Sequence, residues 1–194
     1  MIDVIDSSPV IIDNFFHENQ FFKLKNLLNC QDHPWNILEG QTEENEGDPR
    51  LYYGFTYPIV HENEPEKYND CLSSDLIFAL NEKIKYTFGF EKVLRCRLDM
   101  TTYRGETPVA FKPHVDYEGE HYTSIFYIQD SNSPTIIYNE TSYSRNLDKN
   151  IDLTVKQVVE PKKNRLLAFK GNHIHTGMAP IDSYNRILVN TNFV

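Results

Sequence analysis

The chain has 194 residues, which is long enough for one domain with a buried core. Hydrophobic residues make up 40% of it and aromatic residues 13%, including 12 Tyr and 12 Phe, and this composition favours aromatic-rich β structure over a helical bundle. A formal net charge of -9 opposes the neutralisation of phosphates on which non-specific nucleic-acid binding depends, so we expect no nucleic-acid partner.

Cysteine usage and the first residues indicate the compartment. Cys30, Cys71 and Cys96 are odd in number and widely spaced, which argues against a disulfide framework and a zinc knuckle. The first residues lack the basic and apolar regions of a signal peptide, and no apolar run approaches the length of a membrane span. We therefore expect a cytoplasmic protein that does not bind a membrane.

The N-terminal part is predicted to contain a strand and then a helix. Residues 10–12 form a short apolar strand, and Asp13 and Asn14 are placed to cap a helix that begins near His17. Apolar residues at helical spacing indicate that this helix packs on a sheet. These residues are Phe21, Leu24 and Leu28.

A second helix is predicted over residues 70–88 and ends at Gly89, because glycine best tolerates the left-handed conformation after a helix. Its apolar stripe consists of Leu72, Leu76, Leu80 and Ile84. Between the two helices, the acidic residues 39–49 indicate a solvated loop. Residues 52–57 indicate a strand at a sheet edge or beside a binding site.

The rest of the chain is predicted to be β structure. Candidate strands cover residues 93–103, 123–128, 135–138, 155–159, 166–169 and 186–193. The polar residues 139–152 interrupt them as either a mobile lid or an elaborated hairpin. We expect a mainly β protein with flanking helices, and a single domain over residues 1–194. Residues 1–92 supply the N-terminal strand and supporting helices, and residues 93–194 supply the catalytic β-barrel core.

The motif His114-Val-Asp116 is the first candidate for chemistry. On a β-strand, side chains at positions i and i+2 leave the same face, so these two side chains can converge on one metal ion. A third ligand is available from His173 or from His175, which lies 59 residues after Asp116. His121 follows a predicted loop and is expected at its surface or on the substrate side.

Two histidines and one carboxylate on one side of a metal leave its other positions open. This is the ligand set of non-haem Fe(II) oxygenases. Two histidines and a carboxylate also fit a catalytic zinc site that has water in the fourth position. The motif therefore predicts a metalloenzyme, and the first interpretation is a redox iron enzyme.

Arg186 is the second candidate, 11 positions after His175 at the start of an apolar run. It can project from the next antiparallel strand towards the same cavity. A buried guanidinium there needs a carboxylate partner, because an unpaired buried charge is costly and arginine presents a two-pronged donor.

These residues resemble the Fe(II)/2-oxoglutarate-dependent dioxygenases, in the subset that includes prolyl hydroxylases and small phage-encoded relatives. The matching stretch runs from about residue 95 to residue 193. It contains Tyr103-Arg-Gly105, His114-Val-Asp116, Thr123-Ser-Ile-Phe-Tyr-Ile128, Asn164-Arg-Leu-Leu-Ala-Phe169, His175-Thr-Gly177 and Arg186. The opening residues 10–16, followed by an amphipathic helix, also look like the start of the family.

The resemblance implies a double-stranded β-helix, a jelly-roll or cupin-like barrel with the N-terminal helices packed on one sheet. It implies that His114, Asp116 and His175 hold Fe(II). It favours His175 over His173, because the Thr-Gly that follows His175 and its spacing to Arg186 fit the family.

The resemblance also implies the cosubstrate site. Arg186 would pair with the distal carboxylate of 2-oxoglutarate, Tyr127 would donate a hydrogen bond to the same carboxylate, and Tyr103 would line the site further out. The sequence departs from the family at Leu188, where a Ser or Thr often helps to bind the cosubstrate. Ser133-Pro-Thr135 also replaces a common Gly-Gly turn.

The activity implied by the family is hydroxylation of a peptidyl or free amino-acid side chain such as proline. 2-Oxoglutarate and O2 would be cosubstrates, succinate would be a product, and ascorbate would keep the iron reduced. The location would be a host cytoplasm if the chain is phage-encoded. Two rivals remain, a zinc hydrolase with the same triad and a non-catalytic cupin-like binding barrel. Arg186 and Tyr127 discriminate against the hydrolase, which needs no dicarboxylate clamp.

Overall fold

The computed structural model describes residues 2–29, 32–38, 54–65, 67–148 and 150–194. In chain order the elements are α1 (Ile2–Ser7), β1 (Val10–Ile12), α2 (Glu18–Leu28), β2 (Asn36–Leu38), β3 (Gly54–Val60), α3 (Ser74–Phe88), β4 (Val93–Thr102), β5 (Tyr122–Tyr127), β6 (Thr135–Thr141), β7 (Val155–Val159), β8 (Arg165–Lys170), β9 (His173–Gly177) and β10 (Asn185–Phe193). Cys30, the acidic residues 39–49 and the first two residues of the predicted strand 52–57 lie outside the described residues.

Two antiparallel sheets form the fold. The larger sheet has seven strands in the order β1-β8-β5-β10-β4-β3-β2, and the smaller has the order β7-β6-β9. Two isolated bridges, Ala110 with Met178 and His114 with His175, lay the segment after β4 along the free side of β9. The result is a double-stranded β-helix, which confirms the predicted mainly β fold.

One face of the larger sheet packs on the helices and the other face packs on the smaller sheet. Side chains alternate between the two faces along each strand, so neighbouring residues enter different cores. On β5, Phe126 packs with the helix-side core, whereas Ile125 and Tyr127 pack between the sheets. The ring of Phe21 on α2 meets Phe126 edge-on at 6.1 Å between centroids. The prediction that the N-terminal helices cover one sheet is therefore confirmed.

The predicted stripe of α2 is buried: Phe21, Leu24 and Leu28 all belong to the core. The predicted cap of this helix is wrong. His17 is the residue before the first turn and makes no capping bond, while Asp13 instead forms an ion pair with Arg165 across 2.6 Å. The side chain of Asp13 is therefore used to fasten the chain to β8.

Helix α3 ends as predicted, with Gly89 in the left-handed conformation at φ 83°. Its start differs from the prediction, since the first helical residue is Ser74. The Oγ of Ser74 donates to the carbonyl of Asn69 and accepts from the amide of Cys71, which folds the preceding residues into a turn. Leu72 therefore lies outside the helix and is 63% exposed.

Helix α1, which the sequence did not predict, lies against β8. The longest of these three helices, α3, has 15 residues. Among the described residues, no helix combines the length and apolar character that a membrane crossing requires.

Asn164, in the turn before β8, holds the chain that leads into α2. Its Oδ1 accepts from the amide of Phe16 at 2.8 Å, and its Nδ2 donates to the carbonyl of Phe16 at 2.8 Å. Its backbone is left-handed, with φ 60°, a conformation that asparagine tolerates better than most residues. One side chain therefore fixes both the turn and the entry to the helix.

We expect Asn164→Ala to lower the free energy of unfolding by about 3 kcal/mol, because two buried hydrogen bonds and the left-handed backbone each contribute about 1 kcal/mol. Asn164→Gly keeps the backbone conformation and should lose about 2 kcal/mol. Urea denaturation measures both. A loss below about 0.5 kcal/mol in both variants would contradict this role.

Candidate metal and cosubstrate site

The His-x-Asp motif lies beside β9 rather than in a regular strand. His114 and His175 exchange two backbone hydrogen bonds, each 3.0 Å from amide nitrogen to carbonyl oxygen. The predicted convergence holds although the motif is not part of a regular strand, because this single bridge joins the two histidines directly. Asp116, two residues further on, is carried to the same place.

Backbone carbonyl groups orient both imidazole rings. Nδ1 of His114 lies 3.0 Å from the carbonyl oxygen of Lys112, and Nδ1 of His175 lies 3.0 Å from that of His173. A proton on each Nδ1 leaves both Nε2 atoms as free lone-pair donors, which is how metal-binding histidines are held.

The two Nε2 atoms face the carboxylate of Asp116. The Nε2 of His114 lies 3.8 Å from Oδ1, and the Nε2 of His175 lies 3.3 Å from Oδ2. The ligand atoms of the three residues all lie within 4.8 Å of one another, which is close enough for one ion. The structure thus brings together the three residues that the sequence predicted as a metal site.

Asp116 is held by polar side chains from the larger sheet, and its side chain is 1% exposed. Arg95 donates to Oδ1 at 2.9 Å. Asn190 donates to Oδ2 at 3.1 Å, Thr123 at 3.4 Å and Asn192 at 3.5 Å. These bonds fix the direction of the carboxylate before any metal arrives.

The charges of Asp116 and His114 suit metal binding. Burial opposes ionisation of Asp116, but His175, Arg95 and His114 outweigh it and hold the pKa of the carboxyl well below its usual value. Burial, together with repulsion from His175, lowers the pKa of His114 to about 4. A charged carboxylate and a neutral imidazole are the forms that bind metal.

Arg186, on β10, is a buried cation close to this group. It donates from Nη2 to the Oγ1 of Thr135 at 2.7 Å, and its guanidinium lies 5.6 Å from the centre of the Tyr127 ring. Burial lowers the pKa of the guanidinium. Within the described ranges, no carboxylate forms an ion pair with it, although such a pair is what a buried arginine needs.

Tyr127 and Thr135 meet beside Arg186. The hydroxyl of Tyr127 donates to the Oγ1 of Thr135 at 2.7 Å. Because Oγ1 already accepts from both neighbours, the hydroxyl hydrogen of Thr135 is left to be donated. Thr135 lines the cavity and supplies a hydroxyl there, whereas Leu188 supplies none.

Tyr103 is not brought to this group. It follows the last residue of β4, its side chain is 47% exposed, and it is not among the residues that line the cavity. Its amide donates to the carbonyl of Tyr184 at 2.9 Å, which places it just beyond the end of the β4–β10 pair.

The other two nearby histidines differ in environment. His173 lies between the carbonyl of Tyr138 and the ammonium of Lys156, at 3.0 and 3.1 Å, and does not line the cavity. His121, expected at a loop surface, is buried against Gly171, where a Cβ would lie 2.1 Å from the imidazole. The sequence reasoning missed this contact because a glycine gives no sign of what packs on it.

The cavity has a volume of about 350 Å³ and contains the three candidate ligands and Arg186. Strand β4 contributes a row of polar residues that sequence reasoning did not select. They are Arg95, Arg97, Asp99 and Thr101. Their alternation with Cys96, Leu98 and Met100 was the available signal, since a period of two places all four on one face.

Arg145, in the segment between β6 and β7, was also missed. It donates to the carbonyl of Asp116 from Nε at 3.0 Å and from Nη2 at 2.7 Å. The same guanidinium forms an ion pair with Glu62 at 2.6 Å, and its amide donates to Glu118. The β6–β7 connection is therefore tied to the metal-site loop, as part of a hairpin.

Solved structures match this fold, whereas no family model and no curated protein matches the sequence. A prolyl hydroxylase from Trichoplax adhaerens, in complex with a hypoxia inducible factor oxygen degradation domain peptide fragment, is 14% identical with a TM-score of 0.63, over 95% of this chain and 82% of that chain. A 2OG-Fe(II) oxygenase family oxidoreductase from Burkholderia pseudomallei is 12% identical with a TM-score of 0.66, over 95% and 84%.

A third structure is the epimerase SnoN in complex with Fe3+, alpha ketoglutarate and nogalamycin RO. It is 10% identical with a TM-score of 0.65, over 100% of this chain and 83% of that chain. The structural neighbours are consistently Fe(II)/2-oxoglutarate oxygenases. At these identities the likeness establishes the architecture, so this chain has the fold of the Fe(II)/2-oxoglutarate oxygenases.

Proposed function

We propose that this protein is an Fe(II)- and 2-oxoglutarate-dependent dioxygenase that hydroxylates an amino-acid side chain. The observation that carries the proposal is the buried guanidinium of Arg186, which has no carboxylate partner among the described residues and shares a cavity with a His-Asp-His group. A dicarboxylate that reaches from a metal to Arg186 supplies the missing charge.

In this proposal His114, Asp116 and His175 are the metal ligands. Two neutral imidazoles and one carboxylate on a single side leave open positions, as Fe(II) oxygenases require. Arg95 and the asparagines of β10 position Asp116, while two backbone carbonyls position the histidines. No protein nucleophile is needed for this chemistry.

Arg186 and Thr135 form the cosubstrate end of the cavity, and the fully buried Tyr127 lies behind Thr135 and does not line the cavity. Arg186 offers its guanidinium to the distal carboxylate of 2-oxoglutarate. Thr135 donates its free hydroxyl hydrogen to the same carboxylate, and so takes the role of the Ser or Thr that the family often has where this chain has Leu188. The hydroxyl of Tyr127 holds Thr135 beside Arg186 through its hydrogen bond to Oγ1 of Thr135. Apolar neighbours such as Ile125 limit the access of water to this charge pair.

When bound together, Fe(II), 2-oxoglutarate and O2 supply the oxidation: 2-oxoglutarate loses CO2 and gains one oxygen atom as succinate, and the second oxygen atom converts a substrate C–H into C–OH. The residues of this chain bind and orient the participants. Ascorbate as a reductant and a cytoplasmic location belong to the same proposal.

The substrate is proposed to be an amino-acid side chain, peptidyl or free. The fold likeness to a prolyl hydroxylase bound to a peptide supports it. A zinc hydrolase is less well supported, because a hydrolase would leave the charge of Arg186 without a function. A purely structural barrel would leave both Arg186 and the open side of the metal group unexplained.

Anaerobic addition of Fe(II) and 2-oxoglutarate should give a weak metal-to-ligand absorption band in the visible range. Asp116→Ala should abolish it, because one of three metal ligands is lost. Asp182→Ala, which removes an exposed carboxylate outside the cavity, is the matched control and should retain the band. Absence of the band from the unaltered protein at saturating concentrations would rule out the oxygenase function.

Arg186→Gln should raise the dissociation constant for 2-oxoglutarate by at least about tenfold, because it removes the charge that pairs with the distal carboxylate. The affinity for Fe(II) should change by less than about twofold. Titration of the absorption band measures the first, and competition with a chelating dye measures the second. Arg165→Gln, outside the cavity, is the control; equal effects of the two substitutions would contradict the assignment.

Gly177→Ala should weaken 2-oxoglutarate binding without changing metal affinity. A Cβ at residue 177 would lie 3.0 Å from Nη1 of Arg186 and would displace the guanidinium. Because the charge is kept, we expect a loss of about threefold to tenfold, smaller than that of Arg186→Gln. An unchanged dissociation constant would show that the position of Arg186 is not critical.

A further inference from the structure

Four arginine side chains line the cavity, and the metal site or the proposed cosubstrate accounts for three of them. Arg95 pairs with the carboxylate of Asp116 at 2.9 Å. Arg145 pairs with Glu62 and binds the carbonyl of Asp116. Arg186 is assigned to 2-oxoglutarate under the proposed function. The fourth, Arg97, is not explained by the metal or by the cosubstrate.

Arg97 is anchored on one side and open on the other. Its Nε donates to Oδ2 of Asp99 at 2.8 Å, and Oδ1 of Asp99 accepts from the hydroxyl of Thr56 at 3.0 Å. These bonds fix the guanidinium plane through Nε alone. The side chain is 31% exposed and lines the cavity, so its Nη edge is accessible to a ligand.

Arg97 lies at the opposite end of the cavity from Arg186. In the register of β4 and β10, Arg97 faces Asn190 and Thr101 faces Arg186. Four residues along a strand separate the two positions by about 13 Å. Asn190 also bonds to Asp116, so Arg97 flanks the metal group. An anion at Arg97 would therefore be a different group from the cosubstrate carboxylate.

The charges in the cavity favour one further carboxylate. Four arginines, Lys112 and a divalent metal face three side-chain carboxylates and the two carboxylates of 2-oxoglutarate, which leaves positive charge in excess among the described residues. The side-chain carboxylates are those of Glu62, Asp99 and Asp116. The chain as a whole has a net charge of -9, so this excess is local to the site.

We infer that the substrate presents a free carboxylate to the Nη edge of Arg97, and that it is a free amino acid rather than an internal residue of a peptide. The inference rests on the proposed function and narrows its substrate class. The planar pair of Nη donors matches the two oxygens of a carboxylate. An internal peptide residue has no α-carboxylate to offer at that point.

The test uses protein loaded with Zn2+ and 2-oxoglutarate, which does not turn over, and isothermal titration calorimetry. The probes are free L-amino acids, including proline, each compared with its own carboxamide. At least one amino acid should bind with a dissociation constant about tenfold or more below that of its carboxamide. Carboxamides that bind as tightly as the acids, or no binding by any acid, would overturn the inference.

Arg97→Gln should reduce this preference to within about twofold and leave the dissociation constant for 2-oxoglutarate unchanged. Arg97→Lys keeps the charge without the two-pronged geometry and should retain part of the preference. Arg165→Gln is the matched control and should retain all of it. A preference that survives in Arg97→Gln would overturn the assignment to this residue.

A blocked peptide with an internal glutamate provides a further arm. If it binds through Arg97 and free amino acids do not, the substrate class is an acidic peptide and the inference is wrong. Failure of 2-oxoglutarate to bind the Zn2+-loaded protein would instead count against the proposed function. In that case, titration of amino acids into Arg97→Gln and into the unaltered protein still shows whether Arg97 binds their carboxylate. A failure of the inference and a failure of the proposed function are therefore distinguishable.

Discussion

Two backbone hydrogen bonds between His114 and His175 hold the site together. Each is 3.0 Å long, and they join an irregular segment to the last strand of the smaller sheet. Together with the bridge between Ala110 and Met178, they fix the stretch between β4 and β5 next to β9. With them, both imidazoles and the carboxylate two residues later are aligned by main chain, which is stiffer than any arrangement of side chains.

The larger sheet supplies the electrostatic part of the site. Asp116 is a buried charge whose desolvation cost is offset by Arg95 and by amide groups from β10. Such a pair is worth little as a source of stability, because burying both partners costs about as much as their attraction returns. Its value is that the carboxylate is charged and oriented in advance.

Much of the fold and the convergence of His114 with Asp116 could be predicted from sequence, because both depend on local periodicity, whereas the choice of His175 over His173 depended on the family resemblance. The i, i+2 spacing of His114 and Asp116 brings both side chains to the metal group although the motif is not part of a regular strand, since one bridge to β9 holds it. Asp13 was misread as a helix cap because its partner, Arg165, lies 152 positions away. Local patterns carry no information about such a contact.

Two other differences have physical causes of the same kind. Arg145 reaches the site through the folding of a hairpin connection, which no periodicity describes. Tyr103 was expected near the site, but β4 ends at Thr102, and the side chain after the strand end points outward. Arg97 follows the alternation along β4, but such alternation predicts a strand and does not indicate which of its polar residues line a cavity.

The place of β10 in the larger sheet has a consequence for folding. It lies between β4 and β5, yet it follows every other strand in the sequence. During synthesis, β4 and β5 therefore each keep one unpaired edge until β10, which carries Arg186, has left the ribosome. Sheets closed by such distant pairings form slowly, and their unpaired edges invite aggregation. A ribosome-bound chain that lacks β10 would be a natural client of chaperones.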